Sequence, residues 1–331
     1  MKQIQLGNTG RSVGAIGLGC LGMSHSYGPA DRKESLATLF AALDAGIEFL
    51  DTADSYGTDG HNEELIGEFL RAGGRGRALV ATKFAQTFDA AGRRIVVNSP
   101  DYIARACEAS LKRLGVETID LYFMHRRDPA VPLAESVGAM ARLVEAGKVR
   151  WLGISEVNAA TLREAHAIHP MAALESEYSL WTRDPEGSVL DTCAELGVTF
   201  VAFSPLGRAM LAGGVDPQKL DPTDFRTKLP RFQAGALEKN AAIAERLAAF
   251  AKTRGATPAQ IALAWLVSKN EGRQTVLPIP GTKREKYVRE NAAAGDIALS
   301  AVEVAELEDM FPVGVAAGGR YTPEEEARTG T

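Results

Sequence analysis

The chain has 331 residues, of which 45% are hydrophobic and 24% charged, and 37 Lys plus Arg stand against 42 Asp plus Glu for a net charge of -5. That length and apolar share bury a core without staples, which excludes a disordered chain or a disulfide-built scaffold. A mildly acidic protein lacks the broad positive field that holds a phosphate backbone, so nucleic acid is excluded as a general partner.

In chain order, QIQL, the turn GNTGR and SVGAI first suggest a short hairpin. Strand patterns follow at 13–19, 47–51, 78–84, 119–125, 149–155, 171–178, 198–204 and 275–281. Between them, helical patterns occupy 32–46, 62–71, 100–114, 134–147, 158–168, 187–196, 236–270 in two pieces, and 283–294. Ser99-Pro100 and Thr257-Pro258 read as helix starts, and Gly115, Gly147 and Gly197 as helix stops. Eight strand–helix units favour a closed (β/α)8 TIM barrel, because the eighth strand can pair with the first. The segment 205–235, rich in Gly, Pro and Asp, is expected to be a long loop after strand seven. Residues 1–312 make one barrel domain; 313–331 form a tail, either disordered or folded over the barrel mouth. Cys20, Cys107 and Cys193 are too far apart for zinc-ligand spacing and odd in number. With no signal core and no run of 18 apolar residues, a cytoplasmic protein with no membrane partner is expected.

Gly17, Gly19 and Gly22 match the dinucleotide pattern GxGxxG. That pattern works when a helix N-terminus follows at once, whereas here MSHSYGPADRKES and its Pro29 intervene. Glycines that let the first loop pass close to a neighbour are the better reading. The chemistry is expected at the C-terminal ends of the strands. Those ends carry Asp51, Lys83 and His125, with Tyr56 five residues past Asp51. Singly, each also reads as ordinary structure: a helix cap, a surface lysine, a core histidine, a loop aromatic. Together on one rim they make a proton-transfer set. Asp51 keeps Lys83 charged, and Lys83 lowers the phenol of Tyr56 from its reference of about 10. Tyr56 then acts as general acid while neutral His125 hydrogen-bonds the same carbonyl oxygen. The set holds no hydride, so a cofactor must supply it. After strand eight, the backbone at Gly281 and Thr282 and the helix dipole suit an anion, with Lys283, Arg284 and Lys286 clustered nearby. His166 and His169 sit three apart on a helix, but no third ligand is near, so no metal is expected.

The segments GLGCLGMS, GIEFLDTADSYG, ATKF, SLKRLGVETIDLYFMHR, GKVRWLGIS, SEYSLWTRD, FSPLGR and LPIPGTKREKYVREN, taken in this order, resemble the aldo/keto reductase superfamily across nearly the whole chain. The likeness is greater to its potassium-channel β-subunit and aflatoxin aldehyde reductase side than to mammalian aldose reductase. The resemblance implies an NADPH-dependent reductase acting on a small carbonyl substrate, with a tetrad at Asp51, Tyr56, Lys83 and His125. It places the nicotinamide on Phe203, the pyrophosphate along Ser204, Pro205, Leu206, Gly207 and Arg208, and the adenine end at Tyr287, Glu290 and Asn291. Gly22, Met23, Asp51, Gly281, Thr282 and Lys283 join the cofactor set, with the basic cluster favouring a 2′-phosphate. Tyr27 and Trp181, in rim loops, are expected at the substrate. Two positions depart from the family pattern. Glu156 stands where Asn usually follows Ser155, and Glu175 where Gln is usual. A carboxylate accepts from the nicotinamide amide but cannot donate to its oxygen, so those contacts are expected to be altered. Two other readings are a nucleotide-binding regulatory subunit and a lyase forming a Schiff base at Lys83.

Overall fold

The computed structural model describes residues 1–213, 215–216 and 219–330. Eight strands form a parallel barrel: β1 (Leu18–Gly19), β2 (Phe49–Asp51), β3 (Leu79–Phe84), β4 (Ile119–Met124), β5 (Val149–Ser155), β6 (Met171–Glu177), β7 (Thr199–Phe203) and β8 (Val276–Pro278). They pair in sequence order, and a Gly19–Gly281 bridge brings the last beside the first. Helices α1 (Arg32–Asp44), α2 (His61–Phe69), α3 (Pro100–Leu114), α4 (Leu133–Glu145), α5 (Ala159–Ile168) and α6 (Ser188–Leu196) follow the first six strands. Two helices, α7 (Ala236–Thr253) and α8 (Pro258–Ser268), precede β8; α9 (Glu285–Ala293) and α10 (Ala301–Met310) follow it.

Local chemistry explains these boundaries. Pro100 opens α3 and Gly115 closes it at φ 67, the left-handed conformation that glycine takes without strain. Thr257 and Gln260 cap each other across the first turn of α8, with Pro258 at its first position. All six residues of β3 and all seven of β6 are buried, the pattern of strands covered on both faces.

The antiparallel hairpin pairs Gln3–Gln5 with Ser12–Gly14 and lies across the start of β6 and β7, where Gly7 donates to Thr199 Oγ1 at 2.7 Å. The stretch expected as one strand at 13–19 is therefore divided between this hairpin and a two-residue β1. A Cβ on Gly19 would stand 2.9 Å from the Ile279 carbonyl, so only glycine lets β1 close on the chain after β8. Among the described residues, the loop after β7 holds 3-10 turns at Gly207–Ala212, Phe225–Lys228 and Pro230–Phe232. Elements not anticipated include a π-helical turn at Leu70–Gly74, a hairpin of Gln86–Phe88 with Arg94–Val96, α10 and a short helix at Pro323–Glu326. The capping pair Ser300 and Glu303 that opens α10 was present in the sequence as a start signal.

The C-terminal stretch is tied back to the barrel. Asn240 donates to the Ala317 carbonyl at 3.0 Å, and Gly330 bridges to Val157 just past β5. No helix among the described residues is long and apolar enough to cross a membrane.

Candidate active site

The strand ends converge on one cavity of about 630 Å³ at the C-terminal rim of the barrel. Lys83, penultimate in β3, is fully buried beneath it. Its ammonium donates to Asp51 Oδ1 at 2.5 Å, to the Thr52 carbonyl at 3.1 Å and to the Tyr56 hydroxyl at 3.1 Å. Glu175 Oε1 is a fourth, more distant neighbour of the ammonium at 3.3 Å. Because the Tyr56 oxygen accepts from Lys83, its own hydrogen is left to point into the cavity. Asn62 steadies this loop from α2: it accepts from the Thr52 hydroxyl at 2.6 Å and donates to the Cys20 carbonyl at 2.9 Å.

His125 follows β4 and is held by its backbone N–H on the Phe84 carbonyl at 3.0 Å. Its ring meets Tyr56 edge to face, with centroids 5.9 Å apart. Burial, then the charges of Arg126, Lys83 and Arg94, push its pKa well below the ordinary 6.5, so the imidazole is neutral. Nδ1 is buried with no partner among the described residues. We therefore assign the ring hydrogen to Nε2, on the cavity side.

Burial would discharge Lys83, but Asp51 and Glu175 outweigh it and raise its pKa. A Schiff base needs the free amine, so this ion pairing argues against the lyase reading. Tyr56 corrects one expectation. Lys83 does pull its pKa down, but burial comes first, Asp51 and Glu175 push the same way, and the balance lies above the ordinary 10. Tyr56 is a phenol that stays protonated. Burial, then the charge of Asp51, push the Glu175 carboxyl up to about 8.

Most sequence-predicted residues face this cavity. Gly22, Tyr27, Asp51, Tyr56, His125 and Ser155 line one part, with Glu175 behind them. Phe203, Ser204, Pro205, Leu206 and Arg208 line the side toward β7, and Gly281, Thr282, Lys283, Tyr287, Glu290 and Asn291 the far end. Five others do not line it, among them Lys83, buried beneath it. Met23 is buried in the core. Gly207 backs onto the Trp181 ring, where a Cβ would meet the indole at 2.9 Å. Trp181 itself is buried under Arg231, whose guanidinium sits 5.2 Å from its ring centroid. Glu156 turns the other way: Arg320 donates to both its oxygens at 3.2 and 3.1 Å, and the Ser176 hydroxyl adds a bond at 2.6 Å. Burial pushes this carboxyl up, but Arg126, Arg320 and these hydrogen bonds overcome it, and it stays ionised.

Lys283 also departs from its expected role. Its ammonium donates to the carbonyls of Tyr27, Gly28 and Pro29 at 3.0, 3.3 and 2.6 Å, tying the start of α9 to the loop after β1. That leaves Arg284 and Lys286 as the charges of the basic cluster. Residues that sequence reasoning missed are Arg126, Arg94, His25 and Tyr321, all on the cavity wall. Arg126 had a weak signal, as the residue directly after His125. Tyr321 had none, since only the return of the tail brings it there, against Arg208 with 5.3 Å between guanidinium carbon and ring centroid.

The aldo/keto reductase family model matches residues 15–311. The chain belongs to this family. An aldo/keto reductase thus carries the buried Asp51–Lys83–Tyr56 chain and its barrel. It is 42% identical over 323 residues to a probable aldo-keto reductase 1 of Glycine max, covering 97% of this chain and 92% of that protein. A glycerol dehydrogenase from Gluconobacter oxydans superposes with a TM-score of 0.84 at 25% identity, covering 97% of this chain and 98% of its own. An aldo-keto reductase from Klebsiella pneumoniae, solved with NADPH, does so with a TM-score of 0.75 at 29% identity, covering 97% and 99%.

Proposed function

We propose that this aldo/keto reductase reduces an aldehyde or ketone to an alcohol with NADPH, and that Tyr56 delivers the proton. The family makes it an NADP-dependent oxidoreductase. The single observation that carries the proton-donor role is Lys83 Nζ standing between Asp51 and the Tyr56 hydroxyl on the cavity floor.

The residues present fit a dinucleotide. The cavity runs from Tyr56 past Phe203 to Gly281, Thr282 and Asn291, an elongated trough ending at the N-terminus of α9. There the backbone and helix dipole favour an anion, and Arg284 and Lys286 add positive charge. Phe203 offers a flat apolar face for the nicotinamide. When bound, NADPH supplies the hydride that no side chain here can.

The chain's own residues handle the proton and the oxygen. The carbonyl oxygen sits where the Tyr56 O–H and the His125 Nε2–H both reach it. Tyr56 transfers its proton to that oxygen as charge develops, and Lys83 stabilises the phenolate left behind. Asp51 fixes Lys83 in place and keeps it cationic. The raised pKa of Tyr56 keeps the acid loaded across the working range.

NADPH consumption is followed with a panel of aldehydes in wild type and Tyr56→Phe. Loss of the general acid lowers kcat by about 10²–10⁴-fold. A wild type that reduces no aldehyde in the panel, or a phenylalanine variant that is equally fast, refutes the mechanism.

A further inference from the structure

Arg126 has no carboxylate in direct contact, although its charge reaches Glu156. Its Nη1 donates to the His125 carbonyl at 2.7 Å and to Ser155 Oγ at 3.3 Å, both neutral acceptors. Among the described residues no carboxylate oxygen lies within 4.0 Å of it, and its Nε and Nη2 find no protein acceptor. The acids that would serve are engaged elsewhere. Glu156, beside Ser155, is taken by Arg320, and Glu175 faces Lys83. Neither free nitrogen of Arg126 is among the buried, unpartnered atoms, so both reach open space, and Arg126 lines the cavity beside His125.

A second guanidinium comes from a different loop. Arg94, on the hairpin after β3, lines the same cavity, and its carboxylate neighbour Glu325 stands back at 4.0 Å. The charges of both arginines are felt at His125, which places them around the carbonyl-binding end rather than the α9 end. Asp51 and Glu175 are already committed to Lys83 below. The wall around Tyr56 and His125 therefore presents two guanidiniums, and the nearest carboxylate to either is that of Glu325, itself on the cavity wall and 4.0 Å from Arg94.

We infer that Arg126, aided by Arg94, forms a subsite for a carboxylate on the substrate, so that the preferred substrates are oxo acids: aldehydes or ketones that also carry a carboxylate. This rests on the carbonyl-reductase reading above and names the substrate class for it. A guanidinium offers two parallel N–H donors that match a planar carboxylate, and partial exclusion of water strengthens the pair. The substrate would bring the direct carboxylate contact that Arg126 lacks.

The test compares 4-formylbenzoate with its methyl ester, which keeps the ring and the aldehyde and removes the charge. Their kcat/KM ratio is measured in wild type, Arg126→Met and Arg126→Lys. Wild type prefers the acid by about ten- to hundredfold, the worth of one charge-assisted pair. The preference collapses toward one in Arg126→Met and is partly restored in Arg126→Lys. Calorimetric titration of both compounds into NADP⁺-loaded protein reads the same preference without turnover. If wild type binds the acid selectively but reduces neither compound, the reductase reading fails and the subsite stands. A ratio near one in wild type, or a ratio that Arg126→Met leaves unchanged, overturns the subsite. So does an Arg126→Met protein whose only defect is weaker NADP⁺ binding, which would assign Arg126 to the cofactor.

Discussion

Replacing Glu175 with glutamine removes the second carboxyl from the Lys83 cluster while keeping its shape. Lys83 lies closer to three other acceptors than to Glu175 at 3.3 Å, and Glu175 Oε2 is buried with no partner among the described residues. A carboxyl so placed holds its proton, and its pKa stands at about 8 against an ordinary 4.5. Between those values the folded state keeps a proton that the unfolded state has lost. Stability must then fall as pH rises, by about 1.4 kcal/mol per pH unit. From pH 5 to pH 8 the fall attributable to this side chain is roughly 2–4 kcal/mol, the lower figure allowing for the attraction of Lys83. Glutamine has no such slope. Urea denaturation of both proteins at pH 5 and pH 8 measures it, provided the m values agree. Relative to wild type, Glu175→Gln should gain that amount on going from pH 5 to pH 8. An equal difference at both pH values, or a variant that loses ground at pH 8, refutes the argument that burial and the charge of Asp51 keep this carboxyl protonated.

Arg320→Ala strips the partner from a Glu156 carboxylate with no exposed surface, a loss of about 3–5 kcal/mol for a broken buried pair. Limited proteolysis should then cut within 313–330 much faster; unchanged protection would mean the tail is held by other contacts. Lys283→Met frees the loop at Tyr27–Pro29, and stopped-flow fluorescence should show NADP⁺ leaving about tenfold faster or more, the scale of one charge-assisted hydrogen bond. An unchanged off-rate would remove that strap from the binding cycle. Because the folded pKa of His125 is depressed, its imidazole should not titrate near 6.5 by NMR, and kcat/KM should stay level as pH falls through that value. The same depression makes the unfolded state bind a proton that the folded state refuses. Stability should therefore decline below pH 6.5, less so in His125→Asn.

The tetrad was legible because each member sits at, or a few residues past, the end of an apolar run, and strand ends in this architecture face one rim. Sequence patterning also placed Pro100, Gly115 and Thr257 correctly, since caps depend on neighbours within one turn. What it missed depends on residues far apart in the chain. Glu156 looked like a cofactor contact until Arg320, 164 positions away, took both its oxygens. That same distant pairing leaves Arg126 without a carboxylate in direct contact, so the surroundings of its guanidinium could not be read from MHRRD alone. Lys283 belonged to a basic cluster in sequence, yet its ammonium bonds carbonyls some 255 residues earlier. For Tyr56, the pull of Lys83 followed from proximity, but the opposing push is burial, which only packing sets. The brevity of β1 likewise follows from its neighbours, because Leu18 and Gly19 are the two residues that meet Leu50 and Asp51.

That short strand gives the barrel a seam. β4 and β5 are registered all the way from Ile119–Val149 to Met124–Ile154, whereas β1 meets β8 through the Gly19–Gly281 bridge and the bond from Gly17 N–H to the Pro278 carbonyl at 2.9 Å. The loops that frame the nucleotide trough spring from the two sides of this seam, and Lys283 is the hasp across it. The barrel's sparsest pairing thus lies beside the cavity. A dinucleotide held as proposed would bolt that joint, and the amides of β1 and β8 would be the place where occupancy is felt as mechanical closure.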